Sequence, residues 1–185
     1  MNAFAHAVDV RSRSLGREIA LVLAGSLVIA LSAQATVPLW PVPMTLQTLA
    51  VLVVGAALGP RLGALAALAY LAEGAAGLPV FAGLSGGAMH LAGPTAGYLF
   101  AFPLAAAIAG YAARRGLCDR PLRAIAPMTA GTLVILALGA LWLSRFSVDP
   151  IGVGVAPFLP GAVIKIALAA MVAPRAMELV SRFGR

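Results

Sequence analysis

Ionisable side chains are nearly absent from the long apolar runs of this chain and crowd into the gaps between them. Charged residues make up 10% of the 185 residues, whereas a soluble domain carries about 25%. With 62% hydrophobic residues, the chain has too little polar surface to cover itself in water. It reads as a single integral membrane domain. Lipid offers no partner to a bare backbone amide, so the apolar runs are expected to be helices.

Six spans can be drawn, at about 18–36, 44–59, 61–77, 94–113, 124–143 and 157–176. Most approach the ~20 residues that a spanning helix needs. The second and third are short and are joined by a tight Gly59-Pro60-Arg61 turn. The fold class expected is an all-α membrane protein with six transmembrane helices. Residues 1–17 form an N-terminal tail, 18–180 the helical domain and 181–185 a short C-terminus.

Basic residues set the orientation. Arg11, Arg13 and Arg17 precede the first span, Arg61 lies between the second and third, and Arg114, Arg115, Arg120 and Arg123 lie between the fourth and fifth. Arg175, Arg182 and Arg185 close the last, and only Arg145 falls on the opposite side. Cytoplasmic loops carry the excess of Lys and Arg, so both termini are expected in the cytoplasm of a multi-pass inner-membrane protein. Ala33-Gln34-Ala35 after the first apolar run imitates a signal-peptide cleavage site. Cleavage would leave five spans and turn the Arg-rich loops outward, so the run is read as a retained helix.

Two segments on the outer side are neither helical nor polar. Val37-Pro38-Leu39-Trp40-Pro41-Val42-Pro43 is rigid and apolar, and 78–93 is apolar and rich in glycine. Proline and glycine exclude a plain helix. A segment this apolar is expected to fold back over the bundle as an external capping piece, where protein covers its backbone.

Glu73 and Lys165 are the two ionisable residues inside the spans. At ~1.5 Å per residue, Glu73 lies ~18 Å beyond Arg61 and Lys165 ~12 Å beyond Pro157. From opposite faces of a core ~30 Å thick, they reach about the same level. Such residues face a protein interior and mark a ligand or ion path. The simpler reading is a structural ion pair, and the two could pair with one another when the site is empty. Other polar groups converge on that depth: Thr45, Gln47 and Thr48 at the start of span two, Tyr70 beside Glu73, and Thr95 with Tyr98. Singly, Thr48 and Thr95 read as interhelical hydrogen bonds. Together with Trp40, Phe81 and Phe158 the set suggests an apolar pocket with a few placed polar groups, as in small-molecule sites.

Several chemistries find no support. No G-x-x-x-x-G-K-[ST] phosphate loop is present. Two histidines and one cysteine are too few for a metal cluster. Ser85 near His90 has no acidic residue following it in the segment to orient the base. The net charge of +7 is not interleaved with aromatics as base stacking requires, so no nucleic acid is expected. Ala20-x-x-x-Ala24 and Gly59-x-x-x-Gly63-x-x-x-Ala67 are small-residue spacings that let helices approach closely.

From about Ala20 to Ala170 the chain resembles the BioY family, the biotin-specific substrate-binding S components of energy-coupling-factor transporters. The resemblance rests on Pro41-Val42-Pro43-Met44-Thr45-Leu46-Gln47, Gly59-Pro60-Arg61-Leu62-Gly63 and the run from Tyr70-Leu71-Ala72-Glu73 to Gly77-Leu78-Pro79-Val80-Phe81. Gly93-Pro94-Thr95-Ala96-Gly97-Tyr98-Leu99 and Pro157-Phe158-Leu159-Pro160-Gly161 complete it. It implies a six-helix substrate-binding subunit that captures biotin from outside. It also implies a transmembrane coupling subunit and two cytoplasmic ATPases as partners, so the chain itself would be no enzyme and would need no cofactor. The ligand-binding residues expected are Trp40, Thr45, Gln47, Tyr70, Glu73, Phe81, Tyr98, Phe158 and Lys165, with Ala20 and Ala24 docking the coupling subunit. The family's last motif reads Pro-Gly-Asp-x-x-Lys, whereas this chain has Pro160-Gly161-Ala162-Val163-Ile164-Lys165. The aspartate and lysine resemble contacts to the bicyclic ring, so one polar contact is missing here. Another small vitamin as ligand, a membrane-embedded enzyme, a structural membrane protein and a homo-oligomer remain open alternatives.

Overall fold

The computed structural model describes residues 15–182. The expected tail residues 1–14, with Arg11 and Arg13, and the terminal Arg185 lie outside the described residues. The elements are α1 (Leu15–Gln34), β1 (Thr36–Val37), β2 (Met44–Thr45), α2 (Gln47–Ala75), α3 (Ala96–Arg114), α4 (Pro121–Leu143), α5 (Pro150–Gly154) and α6 (Leu159–Arg182). Two short 3-10 helices, Ala88–Leu91 and Ala156–Phe158, complete the order. Five helices are long and apolar enough to cross a membrane: α1, α2, α3, α4 and the α5–α6 stretch.

The second of these is not one rod. Gly59 has φ 84° and ψ 173° inside α2, and Pro60 follows it. Only glycine reaches such a φ without strain, and proline cannot continue the preceding hydrogen bonds. The chain doubles back there. A Cβ built on Gly63 would lie 2.7 Å from Gly55 Cα, although eight residues of straight helix would separate them by ~12 Å. A Cβ on Gly55 would meet Ala106 of α3, and one on Gly110 would meet Gly59. Glycine at these points lets both arms of α2 and α3 pack backbone to backbone. The Gly59–Gly63–Ala67 spacing is therefore internal packing, because all three residues are buried.

Around this centre α1 lies on α2, α4 lies on α3, and α6 packs against both α2 and α4. The core is rich in alanine: Ala66, Ala101, Ala105, Ala106 and Ala109 are fully buried. Thr36, Met44 and Thr45, assigned to span ends from sequence, instead join Val37 of the external segment in an antiparallel pair, Thr36 opposite Thr45 and Val37 opposite Met44. Cys118, between α3 and α4, is buried. Burial, and then the neighbouring Asp119 carboxylate, pushes its thiol up from 9.0 to about 11.

Candidate functional site

The 36–45 hairpin, the α2–α3 connection (76–95) and the ends of α2, α3 and α6 enclose a cavity of about 270 Å3. Its position follows from local chemistry. Gly74 has no side chain, and a Cβ there would lie 2.1 Å from Phe81 Cζ. Phe81 thus seats itself against α2, with its ring edge-on to Tyr70 at 5.5 Å. The Phe81 amide donates to the Ser85 carbonyl, and the Gly87 amide to that of Gly74. Gln34 of α1 clamps the segment from both sides: Nε2 donates to the Phe81 carbonyl at 3.1 Å, and Oε1 accepts from the Leu84 amide at 3.0 Å. From α4, Trp142 Nε1 donates to the Gly93 carbonyl at 3.0 Å. The greasy connection is therefore held by satisfied backbone groups, as apolar surroundings require.

A polar row crosses one wall. Lys165 Nζ donates to the Thr45 carbonyl at 3.0 Å. Thr45 Oγ1 donates to Gln47 Oε1 at 2.9 Å, and Gln47 Nε2 donates to Tyr70 Oη at 2.5 Å. On the other side Tyr98 donates to the Gly154 carbonyl at 2.7 Å, with its ring 6.0 Å from Phe158. Seven of the residues expected at a ligand site therefore line one cavity: Thr45, Gln47, Tyr70, Phe81, Tyr98, Phe158 and Lys165.

Two do not reach it. Trp40 sits at the exposed tip between β1 and β2, 91% accessible, and Val42 and Pro43 line the cavity in its place. Glu73 points to α1, where Ser26 Oγ donates to its Oε1 at 2.8 Å. The helix geometry explains the divergence. Tyr70 and Gly74 are one turn apart on the side facing Phe81, whereas Glu73, ~100° before Gly74, turns away from it. The alternative reading, a Glu73–Lys165 ion pair, is not realised: the one salt bridge among the described residues joins Arg182 to Glu178.

The cavity also contains residues outside the expected set. Thr132, Ile135 and Leu136 bring α4 to it, and His90, Thr95 and Ala162 contribute as well. The sequence carried a signal for Thr48, Thr95 and His90, but none for the α4 wall. Thr48 Oγ1 and His90 Nδ1 are buried and have no hydrogen-bond partner among the described residues. Ser85 Oγ donates to the Ala82 carbonyl rather than to His90, so no nucleophile–base pair is formed. Ala20 and Ala24 are exposed on α1.

The description "BioY family" matches residues 5–182. The chain belongs to the BioY family. Among curated relatives it is 41% identical over 165 residues to the probable biotin transporter BioY of Pyrococcus horikoshii, covering 86% of this chain and 95% of that one. It is 40% identical over 154 residues to the biotin transporter BioY of Thermotoga maritima, covering 82% and 90%. The fold is that of a crystal structure described as the S-component for biotin from an ECF-type ABC transporter, with a TM-score of 0.79 and 23% identity over 90% of this chain and 95% of that one. Within the BioY family, this chain is thus a multi-pass membrane protein.

Proposed function

We propose that this BioY protein captures biotin from outside the cell and delivers it inward as the S component of an energy-coupling-factor transporter. What carries the reading is the cavity in which seven residues selected from sequence meet around apolar walls. A cavity of about 270 Å3 suits a compact bicyclic ligand with a short tail. Gln47, Tyr70, Thr45 and Lys165 offer donors and acceptors for the ureido group and the tail, while Phe81, Tyr98 and Phe158 pack the ring.

The two arms of α2 cross separately, which makes six crossings with both termini in the cytoplasm of the inner membrane. The 76–95 connection caps the cavity on the outer side. A transmembrane coupling subunit docks along α1 at Ala20 and Ala24, and two ATPase subunits supply energy. The exposed small residues on α1 support this docking face.

Calorimetric titration of the purified protein with biotin and a panel of other vitamins tests the reading. Saturable binding of biotin alone is expected. Binding of a different vitamin, or of none, overturns it.

A further inference from the structure

We infer that the groove between α1 and the second arm of α2 holds a phospholipid whose headgroup carries both a phosphate and a primary ammonium. The two helices leave a groove of about 470 Å3, within the ~300–1,000 Å3 of small-molecule clefts. Leu15, Ile19 and Leu23 line it from α1, and Leu65, Leu68 and Ala72 from α2. These recur every three or four residues, so each set is one face of its helix. All six are exposed. Two ionisable residues also line the groove, Glu18 near the start of α1 and Arg61 at the start of the second arm. Further along, Ser26 of α1 meets Glu73 of α2. The two helices therefore run the same way, and both charges sit at one end of the groove.

Those charges select the headgroup. Glu18 and Arg61 face one groove, yet the one salt bridge among the described residues joins Arg182 to Glu178. Neither is neutralised by the other. A purely anionic headgroup would satisfy Arg61 and be repelled by Glu18. A choline headgroup carries a cation for Glu18 but no N–H to donate. A phosphate on the guanidinium with an ammonium on the carboxylate satisfies both, and such charge-assisted bonds are the strong kind. The apolar faces suit the tail. From Arg61 to Ala72 the helix rises ~16 Å, about half of a hydrocarbon core ~30 Å thick, which is the depth of one leaflet. Ala20 and Ala24 lie ~100° round α1 from Ile19 and Leu23, so the lipid lies beside the proposed docking face.

The test is native mass spectrometry of the purified full chain, titrated with dioleoyl phosphatidylethanolamine, phosphatidylcholine and phosphatidylglycerol. Melting temperature in lipid-free detergent is the folding control. One phosphatidylethanolamine is expected to bind about tenfold more tightly than either of the others. Arg61→Gln should weaken it about tenfold, and Glu18→Gln should bring it to within about threefold of phosphatidylcholine. Ala72→Trp, which fills the deep end of the groove, should weaken all three about tenfold. Arg145→Gln, whose guanidinium lies over Trp142, is the control for lost charge and should change each by less than about threefold. Equal binding of the three lipids overturns the inference. So does undiminished phosphatidylethanolamine binding in folded Arg61→Gln or Ala72→Trp, or a preference over phosphatidylcholine that survives in Glu18→Gln. Binding of none of the three overturns it as well; if the chain then elutes as a dimer that Ala72→Trp dissociates, the groove belongs to a second copy. Biotin affinity enters none of these readings, so failure of the biotin reading leaves them intact.

Discussion

The two flanks of α2 hold superficially similar residues in opposite circumstances. On the α1 flank, Glu73 interrupts an apolar run, is half-buried, and accepts a hydrogen bond from Ser26. On the α6 flank, Lys165 interrupts another run and is buried, with one carbonyl and a cavity as its polar surroundings. From the sequence alone both are intramembrane ions at a similar depth. The fold gives the first a side-chain partner in the helix seam and gives the second a backbone carbonyl and a place in the cavity wall. An intramembrane charge marks a ligand site when the folded chain leaves its polar requirement open, not simply because it lies in an apolar run.

The largest effect that separates the flanks is expected from Ala24→Trp. A bulky ring on the exposed face of α1 should abolish ATP-driven uptake of labelled biotin, because small residues are what allow close helix approach. Binding in detergent should stay within about threefold, since substitutions away from packed sites change energies by roughly 0.5 kcal/mol. Uptake that survives the change would remove α1 as a docking face.

Gly74→Val should come next. Its Cβ would collide with the Phe81 ring, and overpacking costs about 1–3 kcal/mol. Biotin affinity should fall about tenfold to a hundredfold, read by calorimetry, as Phe81 leaves its seat. An unchanged affinity would mean that the aromatic roof is dispensable.

A smaller effect is expected in the α1 seam. Ser26→Ala, Glu73→Gln and the double variant form a cycle whose coupling should be about 1 kcal/mol in denaturant stability. Biotin affinity should remain within about threefold throughout. A large loss of affinity in Glu73→Gln would erase the contrast between the flanks. Trp40→Ala, at the exposed hairpin tip, should change stability and affinity least, by no more than about 0.5 kcal/mol.

Cys118 gives a control for folding. Its thiol is pushed up to about 11, and a protonated, buried thiol is a poor nucleophile. Because its folded value is the higher one, the stability linked to it is intact below about pH 9 and is lost as the pH rises toward 11. A maleimide should leave it unmodified at pH 8 until the protein unfolds. Protection at Cys118 therefore reports folding and says nothing of sidedness.

Much of this was legible in the sequence, for definite reasons. Apolar runs bounded by arginines locate the helix ends to within about three residues, except that α6 continues past the expected 176 to Arg182, and Gly59-Pro60 announces the reversal in α2. Polar residues in apolar runs are expensive, so Gln47 and Lys165 stood out. The α4 wall did not. In a soluble helix the buried face is marked by hydrophobicity, but in lipid the outer face is equally apolar. Thr132, Ile135 and Leu136 therefore look like any other part of their helix. Tyr70 and Glu73 were placed together because residues three apart lie near one another on a helix. The structure shows that this angular difference is enough to send one to the cavity and the other to α1. A proline-rich turn carries no periodicity from which to read the direction of Trp40, which the fold leaves exposed.

The reversal at Gly59 also determines how the protein meets the bilayer. The first arm of α2, residues 47–58, rises only ~18 Å, and the second, residues 60–75, ~24 Å. Neither matches a hydrocarbon core ~30 Å thick. Either the lipid thins around this hairpin or the 36–46 stretch lies below the headgroup plane, shielded from acyl chains by its neighbours. Under the proposed six-crossing topology, the mouth of the cavity then lies at the bottom of a depression rather than level with the membrane surface. A water-soluble ligand would then leave bulk water before touching the walls that bind it.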